Sequence, residues 1–405
     1  MIIIAAKNGF LKERTGVEEY TFQLIKHLVK QKTKEKFLIF TNKIEENIDL
    51  PSNFNLKIIR WPIFWTQIGL SLEILKLRIR NYELRIRRKL TSKSKRPVSS
   101  LQEPAPMALF IPAHVMPLIH LKNTTVTIHG LEYEYYPAHY SWLSRKYLRW
   151  STTYTATYAS KIITVSENTK KDLIDTYKCD PKKIDIVYHG VDKNQESRIR
   201  RTFDEKLENL DEKRNHDSKF QIPNSRYFLY LGRIETKKNI LGTIRAFEIF
   251  KSQYPKARSQ KLILAGGRGH GFKQIIDQIS KLNDDIKKDI VFMGHVTGEQ
   301  KEGLLRGAKA LIFPSFYEGF GLPILEAQSR GVPVITSKGS STEEVAGDGA
   351  IIVDPGRPEE IVDAMLEIIN NKSRKEELIE KGYENCKRFS WQKCAKETLG
   401  IINSI

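Results

Sequence analysis

The stretch Pro314–Ser337, PSFYEGFGLPILEAQSRGVPVITS, decides how this chain is read. It leaves the apolar run Ala310–Pro314, turns through Glu318, Gly319, Phe320 and Gly321, enters a helix with Pro323 at its first position, and stops that helix at Gly331 before the apolar run Pro333–Thr336. Proline just inside a helix start and glycine just past its end are what backbone geometry favours. Two strand-like runs joined through one helix make a parallel α/β unit. The turn suits a ligand: glycines let backbone approach closely, and unpaired N–H groups at a helix start attract negative charge such as phosphate. Glu318 precedes the turn, and Glu326, eight positions on, is expected in the first turn of the helix. Two carboxylates so placed can address one elongated ligand at two points, each accepting hydrogen bonds from a hydroxyl pair of the kind sugars and riboses carry. The same pattern also fits a helix-dipole acid beside a solvated loop acid, so neighbouring segments must decide.

Outward from this unit, the second half places further strands at Tyr227–Gly232, Leu262–Ala265, Ile290–Met293 and Ala350–Val353, each followed by a helical stretch. Six strands with interleaved helices form a doubly wound domain of the Rossmann kind, which binds ligands beyond the carboxyl ends of its strands. The first half alternates in the same way, with strands at Ile2–Ala6, Phe37–Thr41, Leu56–Ile59, Leu109–Ile111, Thr125–His129, Ile162–Ser166 and Ile184–Tyr188. At 405 residues the chain exceeds what one core usually supports. The expected class is therefore α/β with two Rossmann-like domains, 1–192 and 220–388, followed by a closing helix within 389–405. Residues 193–219, charged and poor in large apolar side chains, read as a linker or exposed loop. Residues 78–106 read as a basic insertion: LRI occurs twice, seven residues apart, ahead of a tail rich in Ser, Lys and Pro.

Composition narrows the class. With 40% apolar and 28% charged residues, wholesale disorder is excluded. Cys179, Cys386 and Cys394 are too few and too scattered for a disulfide framework or a zinc site, which points to a reducing, cytoplasmic setting. MIIIAAKNGF lacks the basic start and long apolar core of a signal peptide, and no window reaches the ~18 apolar residues that span a bilayer. The net charge of +19 invites an anionic partner. Ten Lys/Arg residues against the single acid Glu83 lie between Lys76 and Arg96, nearly half of the excess. No recognition helix, stacking motif or zinc module accompanies them, so no specific nucleic acid is expected. An anionic membrane is the other candidate, with Trp61, Phe64, Trp65, Ile68 and Leu72 beside the basic run as apolar contacts, unless they line the core or an acceptor cleft.

Three further segments bear on the ligand. YLGRIETKKN leaves a strand through Gly232 and puts Arg233 and Lys238 around one loop, where Arg can grip a diphosphate bidentately and Lys adds a point charge. His129 stands at the carboxyl end of a buried-looking strand, where doubly wound folds place ligands and where a structural histidine is equally at home. RTGVEEYTFQL, Arg14–Leu24, sets Gly16 at the first strand-to-helix turn.

Taken in order, EGFGLPILE, GRIETKKN, TIHGLEYEYYP, VSENTKKDL, VYHGVD, SSTEEVAGDGAIIVDP and the closing FSW resemble the retaining glycosyltransferases of family 4, group 1, whose GT-B architecture faces two Rossmann-like domains across a cleft. The resemblance implies a nucleotide-sugar donor whose ribose is held by Glu326. Glu318 and the following backbone of Gly319, Phe320, Gly321 and Leu322 would meet the donor sugar. Gly232, Arg233 and Lys238 would meet the diphosphate, His129 the transferred sugar, and Gly16 the phosphates or acceptor. Glu318, Arg233, Lys238 and His129 are the expected catalytic set. Three departures bear on sugar and acceptor identity: Gly130 stands where relatives often carry Asp, Thr342-Glu343 stands where many have Leu-Pro, and Gly16 is single where many have a glycine pair.

No D-x-D triplet occurs, so no metal and no cofactor are expected, and Arg233 and Lys238 take the cation's place. The reaction implied is hexosyl transfer with retention, the acceptor hydroxyl attacking from the leaving-group face. The runs WPIFWTQIGLSLEIL, PAHVMPLIH and TIHGLEYEYYP most resemble mannosyltransferases, making GDP-mannose the first donor. The acceptor would be a saccharide or lipid-linked saccharide in cell-surface polysaccharide synthesis, handled in the cytoplasm or at the inner face of the membrane. The competing readings are another GT-B enzyme such as a nucleotide-sugar epimerase, and a non-catalytic relative binding nucleic acid or membrane.

Overall fold

Runs such as Ile2–Ala5 and Tyr227–Leu231 carry no strongly polar side chain and are buried along their whole length, as parallel strands covered on both faces require. The computed structural model describes residues 1–91, 106–191 and 227–405. The expected linker 193–219 and residues 92–105 of the expected insertion lie outside the described residues.

The chain divides into two units: Met1–Tyr133, Tyr140–Tyr188 and Trp391–Ile405 form the first, and Glu134–His139 with His189–Ser390 form the second. In the first, seven strands make one parallel sheet: β1 (Ile2–Ala5), β2 (Phe37–Thr41), β3 (Phe54–Ile58), β4 (Ala108–Ile111), β5 (Thr124–Ile128), β6 (Lys161–Thr164) and β7 (Ile184–Ile186). Their order is β3-β2-β1-β4-β5-β6-β7, so the order reverses between β1 and β4. Helix Gly16–Leu28 returns from β1, its first turn closed by Glu18, which accepts from the Thr15 N–H at 2.8 Å. The closing helix Trp391–Asn403 packs against it, with Tyr20 and Trp391 ring centres 6.2 Å apart.

In the second unit six parallel strands, β8 (Tyr227–Leu231), β9 (Lys261–Ala265), β10 (Ile290–Gly294), β11 (Ala308–Phe313), β12 (Val334–Ser337) and β13 (Ala350–Val353), take the order β10-β9-β8-β11-β12-β13. The switch point lies between β8 and β11, which puts the loops after those strands at the place where doubly wound sheets bind ligands.

Two local readings are corrected. Residues 78–91 are no irregular insertion, because they continue a 21-residue helix, Ser71–Thr91. Its apolar residues recur at helical spacing, and the high density of Lys and Arg hid that period. Trp65 is a core residue, its indole N–H donating to the Ile59 carbonyl at 3.1 Å, whereas Trp61, Phe64, Ile68 and Leu72 are exposed.

Candidate functional site

In the second unit the site begins with two strand ends. β8 breaks at Gly232, whose φ of +144° carries the chain sideways into a 3₁₀ turn, Thr236–Lys238. β11 runs into Pro314–Gly321, and Gly321, at φ +106°, starts the helix Leu322–Gln328. The Phe316 N–H donates to the Lys237 carbonyl at 3.1 Å and ties the loops together. Beneath the second loop, Ser341 Oγ at the start of helix Ser341–Ala346 donates to the Glu318 carbonyl at 2.7 Å and the Phe320 carbonyl at 3.1 Å, so its backbone shape is set from below. Phe320 is buried against the His189 ring, with centres 4.5 Å apart.

Lys238 and Glu318 meet directly, the ammonium donating to Oε1, with only 14% and 9% of their side chains exposed. Arg233 differs, since its side chain is exposed on the rim of the same loop. Buried Tyr230 lies below, its hydroxyl donating to the Arg233 carbonyl at 2.9 Å and pushed well up by burial and by the charges of Glu318 and Glu235.

Glu326 is not in the first turn of its helix. Gly321 is the cap, Leu322 the first residue and Pro323 the second, so Glu326 opens the second turn and is no helix-dipole acid. Its Oε1 accepts from Lys301 at 2.5 Å, a partner from helix Gly298–Gly307 lying 25 positions earlier. Each carboxylate of the pair is thus neutralised by its own lysine.

Sequence reasoning missed a second glycine loop, AGGRGHG, after β9. Ile234 N–H donates to the Gly267 carbonyl and Gly269 N–H to the Ile234 carbonyl, both at 2.9 Å, which interlocks it with the Arg233 loop. A Cβ on Gly266 would lie 1.8 Å from the Gly232 carbonyl oxygen, and one on Gly269 would lie 2.8 Å from Arg233 Cγ. Glycine is needed there by contact. Four glycines within six residues at a strand end were the available signal.

The first unit holds the other two candidates. His129 follows β5, is buried, and donates from Nε2 to the Pro112 carbonyl at 2.7 Å, which fixes its tautomer. Burial, reinforced by neighbouring His114, pushes its pKa down to about 3, so the imidazole is neutral near pH 7. Gly16 is the first residue of helix Gly16–Leu28, exposed, and a Cβ there would meet nothing within 4 Å.

Residues 14–195 match Glycosyltransferase Family 4, and residues 211–385 match Glycosyl transferases group 1. The chain is 35% identical over 188 residues to O-antigen chain mannosyltransferase B of Escherichia coli, covering 45% of this chain and 46% of that protein. It is 29% identical over 242 residues to O-antigen chain mannosyltransferase RfbU of Salmonella typhimurium, covering 60% and 59%. The chain thus spans about half the length of the curated relatives it matches. Among solved structures, Anabaena HepE in complex with UDP and glucose aligns over 100% of this chain and 99% of its own at a TM-score of 0.66 and 16% identity, a likeness of fold. With two Rossmann-like units and a family match in each half, the chain belongs to the family 4, group 1 glycosyltransferases of the GT-B fold.

Proposed function

We propose that this protein transfers a hexose from a nucleotide-sugar donor, GDP-mannose first, to a saccharide or lipid-linked saccharide acceptor in cell-surface polysaccharide synthesis. The observation that carries this reading is the pairing of Glu318 with Lys238 and of Glu326 with Lys301 on one loop-and-helix unit at the switch point of the sheet. The two O-antigen mannosyltransferases among its relatives support mannose and a polysaccharide product.

Donor chemistry follows from the residues. Glu326, oriented through Oε1 by Lys301, accepts from the ribose hydroxyls at its other oxygen. Backbone amides from Gly319 to Leu322 lie at a helix start and meet the sugar and phosphates. Arg233 and Lys238 stabilise the charge that develops on the diphosphate as the glycosidic bond breaks, a preorganised term that needs no metal. His129, in the first unit, is neutral near pH 7, so its chemistry is hydrogen bonding and not charge. The acceptor attacks from the leaving-group face, with retention. Work in the cytoplasm, at the inner face of the membrane, fits a lipid-linked acceptor.

The test is incubation with GDP-mannose, UDP-glucose and ADP-glucose, a lipid-linked saccharide acceptor and EDTA, reading the anomeric configuration of the product by NMR. Transfer from GDP-mannose that survives EDTA and gives the α-anomer is expected. An inverted product or loss in EDTA refutes the mechanism. Epimerisation of the nucleotide sugar without acceptor product would make the protein an epimerase. Arg233→Ala and Lys238→Ala should each lower turnover by roughly 100-fold or more.

A further inference from the structure

In the loop after β11, Gly319 and Gly321 flank Phe320, and glycine backbone on its own leaves the neighbouring peptide planes free to rotate. One side chain restrains two of those planes at once. Ser341 is fully buried beneath the loop, and its single hydroxyl proton is shared between the Glu318 carbonyl at 2.7 Å and the Phe320 carbonyl at 3.1 Å. In a trans peptide the carbonyl and the N–H of the next residue point in opposite directions, and the described residues contain no cis bond. Drawing the Glu318 and Phe320 carbonyls towards Ser341 therefore turns the Gly319 and Gly321 N–H groups away from it. Both glycines are buried, and among the described residues the Gly321 N–H meets no protein acceptor. A buried N–H in that condition is costly and rare, which points to a bound group as its partner.

Ser341 is itself held in place. Ser340 caps its helix, Oγ accepting from the Thr342 N–H at 3.4 Å, and Thr342 Oγ1 donates to the Ser337 carbonyl at the end of β12 at 2.7 Å. Ser337 Oγ in turn donates to the Ser315 carbonyl near the start of the loop. Buried hydroxyls thus tie the end of β12 and the start of helix Ser341–Ala346 to both ends of the loop.

We infer that Ser341 is a positioning residue for the transfer reaction: through the two carbonyls it holds, it aims the Gly321 N–H, with that of Gly319 beside it, at the sugar-bearing phosphate of the donor. Glu326, proposed for the ribose, opens the second turn of the helix beyond Gly321, which leaves the loop before the helix for the phosphate farther from the ribose. N–H groups turned to one side of a loop favour an anion, and donors fixed before the leaving group's charge grows need no reorganisation as it does. Ser341 meets no donor atom and acts only through the loop. The inference rests on the nucleotide-sugar reading proposed above and adds to it a residue outside the loop on which the loop's aim depends.

The experiment is isothermal titration of the full chain with GDP, GMP, UDP and UMP, for wild type, Ser341→Ala and Thr336→Val. Thr336→Val is the structural control, because it removes an equally buried hydroxyl that donates to the Phe313 carbonyl at 2.8 Å, within β11 and short of the loop. Wild type should bind one diphosphate more tightly than its monophosphate. Ser341→Ala should weaken that diphosphate at least about tenfold, the size of one lost hydrogen bond to a charged group, and the monophosphate by less than about twofold. Thr336→Val should keep the wild-type preference for the diphosphate. Should circular dichroism show Ser341→Ala unfolded, Ser341→Cys keeps the side-chain shape with a weaker donor and should lower the same preference by a smaller factor. An unchanged preference in the Ser341 variants, an equal loss for diphosphate and monophosphate, or the same fall in Thr336→Val overturns the positioning role and leaves the donor reading standing. Wild type that binds none of the four nucleotides at millimolar concentration refutes the donor reading and this role with it.

Discussion

Replacing Lys238 by Met leaves the Glu318 carboxylate, in the loop after β11, without its ammonium partner. Exposure decides the size of the effect. An exposed ion pair contributes about 0–1 kcal/mol, whereas breaking a buried one costs about 3–5 kcal/mol because a charge stays desolvated. With 14% and 9% of the two side chains exposed, this pair lies near the buried limit, so about 3 kcal/mol is expected. For a unit of this size that lowers the melting temperature by roughly 6–12 °C. Glu318→Gln combined with Lys238→Met removes both charges and should recover all but about 1 kcal/mol. Calorimetric melts of the four proteins give the coupling energy, and turnover of the double variant should stay low although its stability returns. A Lys238→Met protein melting within a degree of wild type, or single losses that simply add in the double variant, would refute the reasoning.

Gly266→Ala puts a Cβ 1.8 Å from the Gly232 carbonyl at a φ of +149°, so the interlocked loops must part; melting should fall by at least about 3 kcal/mol, and an unchanged melt would contradict the contact. Gly16→Ala meets open space, so stability should hold within ~0.5 kcal/mol while turnover drops if a ligand approaches that backbone; equal turnover removes Gly16 from the site. His129 has a depressed folded pKa of about 3, so its stabilising contribution is fully present above the unfolded value near 6.5 and is lost as pH falls towards 3. Between pH 7.5 and pH 5 this amounts to about 2 kcal/mol, and His129→Gln should remove that part of the pH dependence in denaturant titrations at both pH values.

Much of the fold was legible because parallel strands are short apolar runs, and the thirteen strands fall within a residue or two of their expected places. Helix Ser71–Thr91 was partly hidden because its apolar stripe faces outward among many cations, so its composition resembled a solvated insert. Glu318 and Lys238 stood out as candidate site residues from strand ends and glycines. Their contact did not, because it joins loops 80 positions apart. The helix start was misjudged by one residue, which moves Glu326 out of the first turn, since Gly321 sets that start through a backbone angle that residue types alone do not fix. Lys301 and the Gly266–Gly271 loop act through tertiary contacts, and nothing local marked the lysine.

The central claim is that the second unit holds a nucleoside diphosphate sugar through Glu326 and an Arg/Lys clamp without metal. Isothermal titration of GDP, UDP and ADP in EDTA, with wild type and Glu326→Ala, tests it most directly. The account predicts that one nucleotide binds wild type in EDTA and is weakened at least about tenfold in the variant, the size of a hydrogen bond to a charged group. No binding of any nucleotide at millimolar concentration, binding that EDTA abolishes, or equal affinity in both proteins would contradict it.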